Sequence, residues 1–160
     1  MKVLFIGGTG VISSACSRQA VESGFDLYLL TRNKSWRAVP EGAHALTGDI
    51  NDVERVRKYV DEHQFDVVVD FIAFTANDAR RDIALFKDTV KQYIFISSAA
   101  AYKKPPIHLP VKEDAEISNP NWAYAHNKAE AEKVLKEAAA QTGFPVTIIR
   151  PAHTYDETVI

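Results

Sequence analysis

The chain has little of what would set it apart from ordinary globular proteins. One cysteine, Cys16, occurs in 160 residues. That excludes an internal disulfide or a cysteine-rich metal cluster and suits a reducing, cytoplasmic setting. No apolar run approaches the length needed to span a bilayer, since the densest, Val67 to Phe74, is interrupted by Asp70. No basic excess exists either: 19 Lys plus Arg stand against 21 Asp plus Glu, a net charge of −2, so nucleic acid is not the expected partner. His44, His63, His108, His126 and His153 are scattered without ligand spacing, and no metal site is expected. Glycine is sparse, with 7 in all, yet three of them fall between Gly7 and Gly10.

What is present reads as one soluble domain. Apolar residues make up 46% and charged residues 25%, and the length is right for a single core. Short Val-, Ile- and Phe-rich runs alternate with amphipathic stretches. Strands are expected at Lys2–Ile6, Asp26–Leu30, Ala43–Leu46, Asp66–Phe71, Gln92–Ser97 and Val146–Arg150. Helices are expected at Val11–Ser23 (stripe Val11, Ile12, Ala15, Cys16, Ala20), at Asp52–His63 capped by Asn51, at Asn77–Thr89, and at Trp122–Gln141, stopped by Gly143. Right-handed crossovers then give an α/β fold, a doubly wound parallel sheet ordered 3-2-1-4-5-6 with helices on both faces. Lys103 to Asn121, with four prolines, is expected to be a surface loop.

The two ends need separate treatment. Met1-Lys2 before Val3–Ile6 imitates a lipoprotein leader, but four apolar residues are too few for a secretory core. At the other end Thr158-Val159-Ile160 follows the last strand with no closing helix, so residues 1–160 are expected to be a fragment.

Gly7-Gly8-Thr9-Gly10-Val11-Ile12-Ser13 lies between the first strand and the first helix. Such a turn lets backbone approach a pyrophosphate while the helix start offers free N–H groups, although a plain tight turn has the same composition. Gly7, Thr9, Gly10, Val11 and Ile12 are therefore candidate cofactor contacts. Ser13 stands where a third glycine would bring helix and sheet closest. Strand two ends in Thr31-Arg32-Asn33-Lys34, with no acid to hold the 2′-hydroxyl of NAD. Arg32 instead suits a 2′-phosphate and tilts NAD(P) use toward NADP, its alternative being a solvated surface arginine. Asp49 and Ile50, after strand three, would meet the adenine; Asp49 could equally cap a helix.

Tyr124 and Lys128 sit four apart on one helix face. A tyrosine is a poor acid or base at neutral pH, and a nearby ammonium favours its phenolate. Ser98, after strand five, could hold the same substrate oxygen. Cys16 reads as core rather than nucleophile, and Trp36 and Trp122 as aromatic packing.

Taken in order, Gly7–Ser13, Gly48-Asp49-Ile50, Tyr93–Ser98 with Tyr102, Tyr124-x-x-x-Lys128 and Ile149-Arg150-Pro151 resemble the cofactor-binding half of extended short-chain dehydrogenases/reductases of the NAD-dependent epimerase/dehydratase type. The resemblance implies a Rossmann-like NAD(P)-binding domain over 1–160, lacking the substrate-binding portion that would follow. It implies Ser98, Tyr124 and Lys128 as the catalytic set, Lys128 also holding the nicotinamide ribose. It places Phe71, Ile72, Ala73 and Pro151 along the cofactor. A hydroxyl or carbonyl carbon of a small molecule, with a nucleotide sugar as one class, is the implied substrate. Ser13, Arg32 and His153 depart from the family's usual glycine, acid and asparagine, and a short segment between strands four and five leaves oligomeric state open. The rival is a non-catalytic dinucleotide-binding or RNA-associated module.

Overall fold

A computed structural model of the chain describes residues 1–156; the apolar end Thr158-Val159-Ile160 lies outside the described residues. The elements are β1 (Lys2–Ile6), α1 (Val11–Glu22), β2 (Asp26–Thr31), β3 (His44–Thr47), α2 (Val53–His63), β4 (Val67–Asp70), α3 (Ala76–Phe86), β5 (Gln92–Ile96), a 3-10 turn (Ala99–Ala101), α4 (Ala123–Thr142) and β6 (Val146–Ile149). All strand pairs are parallel, in the order β3-β2-β1-β4-β5-β6, the expected doubly wound sheet.

Strand alternation divides the core between two faces. Leu4, Ile6, Val68, Tyr93 and Phe95 pack with Val56 and Val60 of α2, Leu85 and Phe86 of α3, and Ala131 and Leu135 of α4. Val3, Phe5, Leu27, Leu29, Val69 and Ile96 pack with Ala20, Ile12 and Cys16 of α1. Three helices thus cover one face and a single helix the other.

Several local expectations are corrected. In α1 the expected Ile12, Cys16 and Ala20 pack on the core, but Ala15 is exposed and the fully buried positions include Ser13 and Ser17, whose small hydroxyls face the glycine turn. The cap of α2 is Asp52, which accepts from Arg55 N at 3.3 Å, so the helix starts one residue later than an Asn51 cap requires. β4 is shorter than expected because Asp70 turns its carboxylate back onto the chain: Oδ1 accepts the Ile72 and Ala73 N–H groups at 2.6 Å each. Thr75 and Asp78 form a reciprocal cap that starts α3. Among the described residues no helix is long and apolar enough to cross a membrane.

Candidate functional site

The carboxyl ends of the strands converge on the glycine turn. Gly7 has φ of +81°, and a Cβ there would lie 2.3 Å from Ile72 Cγ2; only glycine fits that backbone and that approach. A Cβ on Gly8 would meet Leu29 Cδ2 at 2.5 Å. Ser13 does more than tolerate the third glycine's place. Its Oγ donates to Gly7 O at 2.6 Å and accepts from Gly10 N at 2.7 Å, while Ser17 Oγ donates to Gly8 O at 2.9 Å. Two serines of α1 therefore fasten the turn from beneath. No side chain caps α1 and no acid lies in its first turn, leaving its dipole uncompensated by charge.

Two cavities open on this turn. One, of about 500 Å³, is lined by Gly7, Thr9, Gly10, Arg32, Asp49, Ile50 and Ile72, together with Lys34 and Ser35. The other, of about 200 Å³, is lined by Gly7, Gly10, Val11, Ile12, Phe71, Ile72, Ile96 and Thr154. Most sequence-predicted cofactor contacts are thus brought together. A larger hollow of about 670 Å³ lies at the opposite, amino edge of the sheet, but ligands of doubly wound sheets bind at the carboxyl edge.

Asp49 does not cap α2. Its Oδ1 accepts Asn51 N at 2.9 Å and Asn51 Nδ2 at 3.0 Å, and that backbone bond holds its carboxyl below the usual range. Its Oδ2 faces Arg32 Nη1 at 3.8 Å, with the side chains 42% and 64% exposed. So loose a pair leaves Arg32 free to reorient.

Lys128 is the anchor on the other side. It is 5% exposed, and its Nζ donates to Ala73 O and Ile96 O, both at 2.7 Å, bridging the exits of β4 and β5. Burial pushes the ammonium down to about 8, with Asp70, Asp78 and Glu132 opposing that shift. Tyr124, one turn earlier and partly exposed, makes tilted ring contacts with Phe74 at 5.3 Å and Trp122 at 5.2 Å. Ser98 caps the 3-10 turn, its Oγ accepting Ala100 N at 3.1 Å, which leaves its own hydrogen for donation. Pro151 contributes its carbonyl, which accepts Ala99 N at 2.9 Å; His153 is exposed.

Sequence reasoning missed two buried networks behind these residues. Glu132, 1% exposed, receives Arg150 through Nε at 2.8 Å and Nη2 at 2.7 Å, and Ser97 Oγ at 2.6 Å. Arg150 also reaches Tyr102 Oη at 2.8 Å, tying β5, β6, α4 and the proline loop together. Burial resists ionisation of Glu132, yet Arg150 and Ser97 outweigh it and hold the carboxyl below its ordinary range. The second network joins Asp70, Asp82, Arg81 and Tyr93. Its one visible signal is a carboxylate ending an all-valine strand.

Fold and cavities together define a doubly wound α/β domain with clefts at the carboxyl edge of its sheet, around the glycine turn. The chain belongs to the NAD dependent epimerase/dehydratase family, whose model matches residues 3–158. It is 32% identical over 169 residues to UDP-glucose 4-epimerase of Lactobacillus helveticus, across 94% of this chain and 51% of the relative. It is 30% identical to the chloroplast stem-loop binding protein of 41 kDa b of Arabidopsis thaliana, across 96% of this chain and 42% of that protein. Its fold matches that of UDP-glucose 4-epimerase from Brucella ovis in complex with NAD at a TM-score of 0.81 and 23% identity, over 93% of this chain and 51% of that one. The chain spans about half the length of the curated relatives it matches.

Proposed function

We propose that the chain binds NAD(P) along the glycine turn and serves hydride-transfer chemistry at a hydroxyl-bearing carbon of a nucleotide sugar. The observation that carries this reading is Lys128. A buried ammonium bonded to the carbonyls of Ala73 and Ile96 sits where β4 and β5 end, one helical turn from a partly exposed phenol. A structural lysine rarely occupies such a place without a charged or polar ligand to meet. The glycine turn and the uncompensated start of α1 suit a pyrophosphate, and the two adjoining cavities suit the rest of a dinucleotide.

A nicotinamide cofactor supplies the hydride-accepting carbon when bound. The remaining work falls to the chain. Tyr124 exchanges the proton of the substrate hydroxyl. Ser98 donates its free hydrogen to the same oxygen and fixes its direction. Lys128 gives the positive field and, with two of its three N–H groups held by Ala73 O and Ile96 O, one donor toward the cofactor ribose. Phe71, Ile72 and Ala73 present backbone to the cofactor, and Arg32 offers a bidentate partner to a 2′-phosphate, favouring NADP. The sugar class rests on the epimerases among the relatives.

The test is to supply NAD or NADP with UDP-glucose and follow reduced-nicotinamide absorbance. The expected result is cofactor reduction that falls by about 10² or more in Tyr124→Phe while cofactor affinity persists. Unchanged reduction in that variant would refute the acid/base assignment. The Arabidopsis relative favours a second reading, a stem-loop RNA-binding module. Retention of an RNA stem-loop at physiological salt, with no cofactor binding, would establish it instead; the net charge of −2 speaks against strong phosphate binding.

A further inference from the structure

The buried acids behind β4 are a feature that the proposed chemistry does not use. Asp70 and Asp82 are both 0% exposed. Asp70 Oδ1 takes the two amides of the turn that follows β4, and the carbonyl of that turn's last residue, Ala73, receives Lys128 Nζ. Asp82 Oδ1 accepts Arg81 Nε at 2.9 Å, and its Oδ2 accepts Tyr93 Oη at 2.7 Å. Asp70 Oδ2 is buried and no N–H reaches it; Arg81 Nη2 stands 3.8 Å away. The neighbouring buried carboxyl is Asp82, whose pKa is raised by burial and by the charge of Asp70.

The groups around the pair are Arg81 and Asp78 from α3, Tyr93 from β5 and Lys128 from α4. Burial pushes the Asp70 carboxyl up, and its two short amide bonds and Arg81 oppose that shift. Burial and the charge of Asp70 push Asp82 well above the ordinary carboxyl range.

We propose that Asp70 is a positioning residue of this site: its carboxylate fixes the 71–73 turn and, through Ala73, seats the Lys128 ammonium. The proposal rests on Lys128 meeting a cofactor, as proposed above. Arg81 and Tyr93 hold the second buried acid, Asp82, by its two oxygens, away from the turn.

The experiment uses the 160-residue chain carrying ¹³C in its lysine ε and aspartate carboxyl carbons. In the unsubstituted protein the Asp70 carboxyl resonance is expected at its ionised position at neutral pH. Asp70→Asn keeps an acceptor for the two amides but removes the charge. It should lower the Lys128 titration midpoint by about one pH unit and weaken NAD binding about tenfold. Asp82→Asn, which leaves the turn amides in place, should move both by clearly less. An unmoved Lys128 midpoint in Asp70→Asn, or equal shifts in the two variants, would overturn the assignment. So would a protonated Asp70 in the unsubstituted protein, a measurement that decides the matter even if Asp70→Asn does not fold. Failure of the unsubstituted chain to bind NAD would sink the proposed function alone, since the carboxyl and lysine resonances still judge the seat of Lys128.

Discussion

The two halves of the sheet build their parts of the groove from different materials. From β1 to β3 the work is done by backbone and small hydroxyls: Gly7, Gly8 and Gly10 shape the turn, and Ser13 and Ser17 fasten it. From β4 to β6 it is done by buried charge. Among the described residues the buried acids and bases, Asp70, Asp82, Lys128 and Glu132, all lie in that second half. A pyrophosphate needs close approach and N–H groups, which a tight turn supplies without desolvating any ion. Directing a proton needs an aligned ammonium and hydroxyl. Holding these rigid inside a protein requires counter-charges behind them.

The contrast can be broken by substitutions of unequal weight. Glu132→Gln should have the largest effect, lowering unfolding free energy by about 3–5 kcal/mol in urea titration, because it leaves Arg150 buried without its charge partner. Its pH dependence has a fixed sign. A carboxyl held below its ordinary value contributes stability above its unfolded-state value and loses it as pH falls through the folded one. Acid unfolding should therefore be less steep in Glu132→Gln, and an unaltered acid limb would remove Glu132 from the account. Next comes Gly7→Ala. Its left-handed backbone and the clash with Ile72 should cost about 1–3 kcal/mol and eliminate NAD binding in calorimetry. Ser17→Ala, which frees one backbone carbonyl in the same half, should cost only about 1 kcal/mol. If it matched Glu132→Gln, the two halves would not differ in kind. Arg32→Ala should leave stability unchanged and weaken NADP about tenfold relative to NAD; equal losses for both cofactors would remove Arg32 as the discriminator.

The same division explains what the sequence disclosed. The glycine turn, the alternation of apolar runs and the Tyr124–Lys128 spacing are local patterns, and the sheet order followed from them, as did part of the cavity lining; Phe71 and Ile72 came from the family resemblance. The buried networks are non-local. Arg150 meets Glu132 from another element, and Tyr93 meets Asp82 across the β5–α3 packing. No spacing rule links such partners. The stripe of α1 was incomplete, omitting Ser13 and Ser17, for a related reason. Serines score as polar, yet Ser13 and Ser17 are buried because the turn's own carbonyls and N–H groups satisfy them. Asp70 was visible as an oddity in an apolar run, but its partners were not.

The most direct measurement is an amide and lysine-ε NMR titration of the chain with NAD, repeated on Lys128→Met. The account predicts one-to-one saturation, with shifts concentrated at Gly7–Ile12, Asp49 and Ile72–Ala73, a perturbed Lys128 signal, and affinity reduced tenfold or more in the variant. Shifts confined to the amino edge of the sheet, or equal affinity in Lys128→Met, would contradict it.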